Sequence, residues 1–294
     1  MSMSESVSKA VKCELLCIAD SNWVLGHWYT NCMLNGRELT DFTSMAGIAE
    51  DKLGHVRALF RFMEEYYELP EHQLEFGRDI DAVHSMELLD APPQNWADFI
   101  LTLFLADAAI WRLENTLRDG NFTAVANLTT KFGEEVYFHQ LCLDGWLKAL
   151  DGAEKADLLV ALPSRLSQAH AWFNSADDDP LLEAGIRTQS VTDAKTSFTE
   201  VVLTKLGAIV ELPDDIMGAA DVVAAADVVG AASRRDWDPL RRRTASSTMP
   251  PRLWESIVPT SEEALIARRP LAVSVDDNID LFGKIKKDET EPQF

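Results

Sequence analysis

The sequence of residues 40–69, TDFTSMAGIAEDKLGHVRALFRFMEEYYEL, predicts one long amphipathic helix, and this helix decides the fold. Its apolar side chains recur three and four residues apart, which places them on one helix face: Leu53, Val56, Leu59, Phe60 and Met63. Pro70 ends the segment, because a proline disfavours the helical conformation of the residue before it. A helix of this length must bury its apolar face against other helices.

Three other segments of similar length show the same periodicity, at about 7–34, 96–118 and 123–150. Each stops at a glycine, the residue that most easily closes a helix: Asn35-Gly36, Asp119-Gly120 and Asp151-Gly152. A longer acidic connection, about 71–94, separates the first two helices from the last two. Two hairpins joined by one crossover predict an all-α, ferritin-like four-helix bundle. Two additional helices are expected at about 158–174 and 192–206.

The character of the chain changes near Pro213, so we predict a ferritin-like helical domain at 1–210 and a C-terminal extension at 211–294. A short tandem repeat, AADVV, occupies 219–223 and 225–229. A basic cluster follows, formed by Arg234, Arg235, Arg241, Arg242 and Arg243. Prolines exclude long helices beyond it, at positions 239, 250, 251, 259 and 270. We expect a partly irregular extension that wraps its own domain or a partner, with the last ten residues disordered.

Composition excludes several classes of function. The formal net charge of −21 argues against nucleic-acid binding and against anionic membrane surfaces, which both require a basic face. The N-terminus has no signal-peptide pattern, and no apolar run reaches the roughly 18 residues of a membrane span. Four cysteines in a chain this long do not form a disulfide framework. We therefore expect a cytoplasmic protein that binds neither nucleic acid nor membrane.

The second and fourth bundle helices each carry a histidine with an acid one turn earlier. The pairs are Asp51 with His55 and Glu135 with His139. A bundle that binds two irons supplies a Glu-x-x-His pair from each half, because residues three apart share a helix face. The positions three before the histidines hold other residues here, Lys52 and Val136. Acids four before the histidines also share their face, so the pattern leaves open either a degenerate site or an unusual metal site.

Four segments resemble the ferritin-like subunits of phenylacetyl-coenzyme A epoxidase, the multicomponent bacterial monooxygenase of phenylacetate breakdown. They are IADSNWVLGH at 18–27, DKLGH at 51–55, FLAD at 104–107 and EVYFH at 135–139. That family contains a catalytic subunit with a diiron centre and a paralogous structural subunit that has lost it. The resemblance implies that this chain is similar to the structural subunit, although His55 is as in the catalytic one.

The resemblance also implies where the old metal ligands would fall, at Asn22, Lys52, His55, Asp107, Val136 and His139. Asp20 is an alternative to Asn22 for the first-helix position. A diiron centre needs several carboxylates to neutralise and bridge its metals, whereas an amide, an ammonium and an alkyl group stand at three of these positions. We expect Lys52 to pair with Asp107 instead, and no metal to bind stoichiometrically.

Three functions follow as hypotheses. The preferred one is an accessory subunit of an aromatic-acid monooxygenase, in an oligomer with a metal-bearing paralogue and served by a separate reductase. The second is an oxygen-activating oxidoreductase whose atypical iron site uses Asp51, His55, Asp107, Glu135 and His139. The third is a stand-alone homodimeric helical scaffold.

Overall fold

The computed structural model of the 294-residue chain describes residues 3–174, 178–214, 216 and 236–258. Helices account for most of the described residues: α1 Glu5–Cys32, α2 Leu39–Tyr67, α3 Glu71–Phe76, α4 Trp96–Leu117, α5 Thr123–Lys148, α6 Gly152–Ala171, α7 Pro180–Glu183, α8 Val191–Gly207 and α9 Pro251–Ile257. Short 3-10 turns lie at Met33–Asn35, Ile80–Ala82 and Glu87–Leu89. A two-stranded antiparallel ribbon joins β1 Trp237–Asp238 to β2 Arg243–Thr244.

Helices α1, α2, α4 and α5 form the predicted ferritin-like bundle. Helix α1 packs along α2, α4 packs along α5, and the two hairpins meet through α1–α4 and α2–α5 contacts. All four helices begin and end within two residues of their predicted bounds. The all-α fold predicted from periodicity and glycine signals is therefore confirmed.

Helix α4 lies at the centre of the molecule. It is buried along nearly its whole length because α6 and α8 cover the side that α1 and α5 leave open. These are the two additional helices that the sequence predicts. A helix that is apolar on every side is stable only in such surroundings.

Helix α6 begins six residues earlier than the sequence predicted, at Gly152. Asp151 caps its first turn by accepting hydrogen bonds from the backbone N–H groups of Ala153 and Glu154, at 2.9 Å each. The side chain of Glu154 accepts in return from the Asp151 N–H. The Asp151-Gly152 pair that ends α5 therefore also starts α6, because aspartate is a favoured N-cap.

Residues 236–258 of the C-terminal extension lie against the bundle. Arg242 and Arg243 of this segment are buried, and Trp254 on α9 packs edge-to-face on Trp23 of α1, with ring centroids 6.0 Å apart. The tandem repeat, Arg234 and Arg235, and everything after Val258 lie outside the described residues. Among the described helices, none is long and apolar enough to cross a membrane.

Candidate functional site

An ion pair occupies the centre of the bundle. Lys52 from α2 places its Nζ atom 2.5 Å from Oδ1 of Asp107 on α4, and both side chains are at most 1% exposed. Burial alone would raise the pKa of Asp107, but the Lys52 ammonium and the nearby His139 hold this pKa well below its usual range. Asp107 is therefore a carboxylate in the core, with the ammonium as its counter-ion, as the sequence predicts.

Two histidine–carboxylate pairs lie beside this ion pair, at the seam between α2 and α5. His55 Nε2 lies 2.6 Å from Glu135 Oε2, and His139 Nε2 lies 3.0 Å from Asp51 Oδ2. Each histidine thus bonds the acid of the opposite helix, whereas the sequence pattern only placed each acid one turn before the histidine of its own helix. The histidines are buried, while the Glu135 and Asp51 side chains are 36% and 41% exposed.

The His55 ring is neutral, and it donates a hydrogen bond toward the protein surface. Burial first, and then the Lys52 ammonium, lower the pKa of His55 well below 6.5. A carboxylate can only accept, so Nε2–H donates to Glu135. Phe132 stacks on the other side of the ring, with centroids 4.1 Å apart. These contacts fix the ring at the seam.

His139 connects the seam to the central ion pair. Its Nδ1 atom lies 3.7 Å from Asp107 Oδ1, and its ring centroid lies 6.3 Å from that of His55. Val136, one turn earlier on α5, is buried. An alkyl side chain therefore stands where a ferritin-like metal site would have a carboxylate.

A second carboxylate, not predicted from the sequence, lies deep in the bundle. Glu114 on α4 is fully buried and accepts a hydrogen bond from Asn22 Nδ2 at 3.2 Å. Burial raises its pKa to about 7, although the nearby Lys52 ammonium opposes the shift. One signal could have revealed it: Glu114 follows Asp107 by seven residues, two turns along the same face of a helix whose other buried residues are mostly apolar.

Of the two candidates on α1, Asn22 reaches Glu114 inside the bundle, whereas Asp20 is bound elsewhere. Arg78 binds both carboxylate oxygens of Asp20, at 2.6 and 2.8 Å, and the backbone N–H of His84 donates to one of them at 2.8 Å. Asp20 therefore joins α1 to the connection between the hairpins.

These side chains do not fit a diiron centre as they are arranged. The Lys52 ammonium lies directly on Asp107, and a protonated amine repels metal cations. Four residues of the alternative iron site meet at the seam, with Asp107 behind them, but the Nε2 atoms of His55 and His139 are bound to carboxylates. Within the described ranges, no three His, Cys, Asp or Glu side chains are arranged to hold a metal ion.

Comparison with known proteins gives one result for this bundle. A sequence model of the family described as phenylacetic acid catabolic protein matches residues 1–219, a range that contains all four bundle helices. No curated protein matches the chain.

Proposed function

Because the chain belongs to the phenylacetic acid catabolic protein family, we propose that it is an accessory subunit of a bacterial multicomponent monooxygenase. Its substrate class would be an aromatic acid of the phenylacetyl-coenzyme A type. In this role the chain pairs with a metal-bearing paralogue that performs the oxygen chemistry, and a separate reductase supplies electrons. The chain itself contributes a folded helical partner.

The ion pair between Lys52 and Asp107 is the observation that carries this proposal. A buried carboxylate without a partner is costly, and in a metal-bearing bundle the cation would neutralise it. Here the lysine provides that positive charge from within the chain, at 2.5 Å. The core can then fold and persist without a metal, which suits a structural subunit.

A second candidate is the metal-dependent oxidoreductase with an atypical iron site. It is favoured by the convergence of two histidines and two carboxylates at the α2–α5 seam, with Asp107 behind them. For this site to bind iron, Lys52 would have to leave Asp107, and both histidine–carboxylate bonds would have to open. That requirement makes it the weaker candidate.

Metal analysis separates the two. Full-length protein purified from iron-supplemented cells should contain well under one iron per chain by elemental analysis. A content near two irons per chain would overturn the accessory role and favour the oxidoreductase. The complementary measurement is co-expression with a paralogue from the same genome that has all its metal-ligand carboxylates. The two chains should purify as one complex in which the paralogue holds the iron.

A further inference from the structure

Helix α5 carries a strip of large apolar side chains on its outer surface. Tyr137, Phe138 and Leu141 are 64%, 63% and 58% exposed, and the rings of Tyr137 and Phe138 touch at a centroid distance of 5.3 Å. Gly145 lies one turn beyond Leu141, and a Cβ atom on it would meet nothing within 4 Å. We call residues 137, 138, 141 and 145 the α5 strip. Adjacent exposed apolar side chains of this size mark a contact surface.

Carboxylates border the α5 strip on its N-terminal side. Glu134 is exposed, Glu135 is half-buried, and Asp51 reaches this edge from α2 to hold His139. Burial and then repulsion by Asp51 raise the pKa of Glu135, and Glu134 adds to the effect. The three acids are therefore close enough to act as one negative edge, which Lys131 and His139 oppose in part.

The apolar strip and its acidic edge together indicate what kind of partner would bind here. Two copies of a chain whose formal net charge is −21 repel each other, whereas a partner with basic side chains is attracted to the acidic edge of the strip. We propose that the α5 strip docks the partner subunit through a helix with an apolar face flanked by lysine or arginine. The proposal rests on the accessory function proposed above, and it assigns the partner to one face of the bundle.

Docking at this face would act on the buried centre as well. Phe138 directly precedes His139, and the Glu135 carboxylate that holds His55 lies at the edge of the strip. A partner helix would exclude water from Glu135 and Asp51, which are partly exposed in the lone chain. Their bonds to the histidines strengthen when water leaves, because electrostatic interactions grow as the local dielectric falls.

The test uses the full-length chain and the paralogue with a complete set of ligand carboxylates. Isothermal titration calorimetry should show binding by the unaltered chain, and the variant Phe138→Glu with Leu141→Glu should bind roughly 100-fold more weakly. Glu134→Lys should weaken binding about tenfold and reduce its salt dependence. Val160→Glu is the matched control, since Val160 is 82% exposed on α6, and it should leave the affinity unchanged.

Hydroxyl-radical footprinting gives an independent measurement. Tyr137 and Phe138 should be oxidised in the lone chain and protected in the complex. A complex that forms normally with the double variant would overturn the docking face while leaving the accessory function intact. Failure of the two unaltered chains to associate would overturn both proposals.

Other occupants of the strip have their own signatures, and either would overturn the proposal. If the lone chain dimerises and the double variant stays monomeric, a second copy is the occupant. Protection of both rings in the lone chain at every concentration would mean that the chain covers its own strip. Circular dichroism should show that the double variant is folded, because both substituted positions are exposed.

Discussion

Two buried ionic networks, one at the bundle centre and one under the C-terminal extension, neutralise a buried carboxylate in different ways. At the centre a single ammonium, Lys52, faces a single carboxylate, Asp107. Under the extension, Glu14 of α1 binds two guanidinium groups, those of Arg187 and Arg242, at 2.7 and 2.8 Å. Burial would raise the pKa of Glu14, but the two arginines outweigh it and lower this pKa.

The two networks differ in how many cations neutralise the buried carboxylate. Glu14 keeps one cation if the other is removed, and Arg242 also donates to the backbone carbonyl of Trp172 at 3.1 Å. Among the described residues, Lys52 is the one lysine or arginine paired with Asp107, and His139 Nδ1 lies farther away, at 3.7 Å from Asp107 Oδ1. We therefore expect the centre to be fragile to single substitutions and the extension contact to be tolerant.

The largest effect is expected from Lys52→Met. It leaves the Asp107 carboxylate buried and unpaired, which typically costs about 3–5 kcal/mol of unfolding free energy. Adding Asp107→Asn should recover much of the loss, so a double-mutant cycle by urea denaturation should be strongly non-additive. Lys9→Met, at an exposed position on α1, is the control. If Lys52→Met costs as little as this control, the central pair contributes nothing to stability.

The second-largest effect is expected from Glu114→Gln, and it depends on pH. The pKa of Glu114 is raised to about 7 in the folded chain, so folding favours its protonated form. Its stabilising contribution is complete below the unfolded pKa of about 4.3 and disappears as the pH rises through 7. Glu114→Gln should therefore raise the unfolding free energy on the order of 2 kcal/mol at pH 8 and change little at pH 4. An equal change at both pH values would mean that Glu114 does not titrate in this range.

A smaller loss is expected from Arg242→Met. Because Arg187 still neutralises Glu14, the cost should be about 1–2 kcal/mol, toward the lower end of the range for losing a hydrogen bond to a charged group. Thermal unfolding of the full-length chain measures it, with the exposed Arg252→Met as its matched control. A loss as large as that of Lys52→Met would show that the second arginine gives no redundancy.

The smallest effect should come from the seam. Glu135→Gln removes a charge but keeps an oxygen that can accept from His55, and Glu135 is partly exposed. We expect a loss of about 0.5–1 kcal/mol, measured by urea denaturation. Asp51→Asn is the companion variant, and similar losses in the two would indicate that the two histidine–carboxylate pairs are equivalent. A loss of unfolding free energy larger than that of Arg242→Met would contradict this ranking of the seam below the other two networks.

The bundle could be predicted because it follows from spacing along regular helices, and the central pair because the family resemblance placed Lys52 and Asp107 among the former metal-ligand positions. The stripe from Leu53 to Met63 sets the face of α2, and the same periodicity turns Lys52 and His55 inward. The extension contact could not be predicted in this way. Glu14 and Arg242 are 228 positions apart, and Arg242 lies in an irregular segment where no periodicity indicates which way a side chain points.

The crossed partners of the histidines were missed for a different reason. The sequence pattern is local, so it pairs Asp51 with His55 on one helix and Glu135 with His139 on the other. Which acid meets which histidine depends on how α2 is aligned against α5, and this alignment is set by packing across the hairpins.

The crossed pairs have a consequence for that alignment. Because α2 and α5 run in opposite directions, Asp51 faces His139 where His55 faces Glu135. A slip of α2 by one turn along α5 would set acid against acid, Asp51 opposite Glu135, or ring against ring, His55 opposite His139. Both displaced registers break two hydrogen bonds and create either a like-charge pair or two rings without carboxylates. The two crossed pairs therefore select one register of the two hairpins over the registers that are displaced by one helical turn.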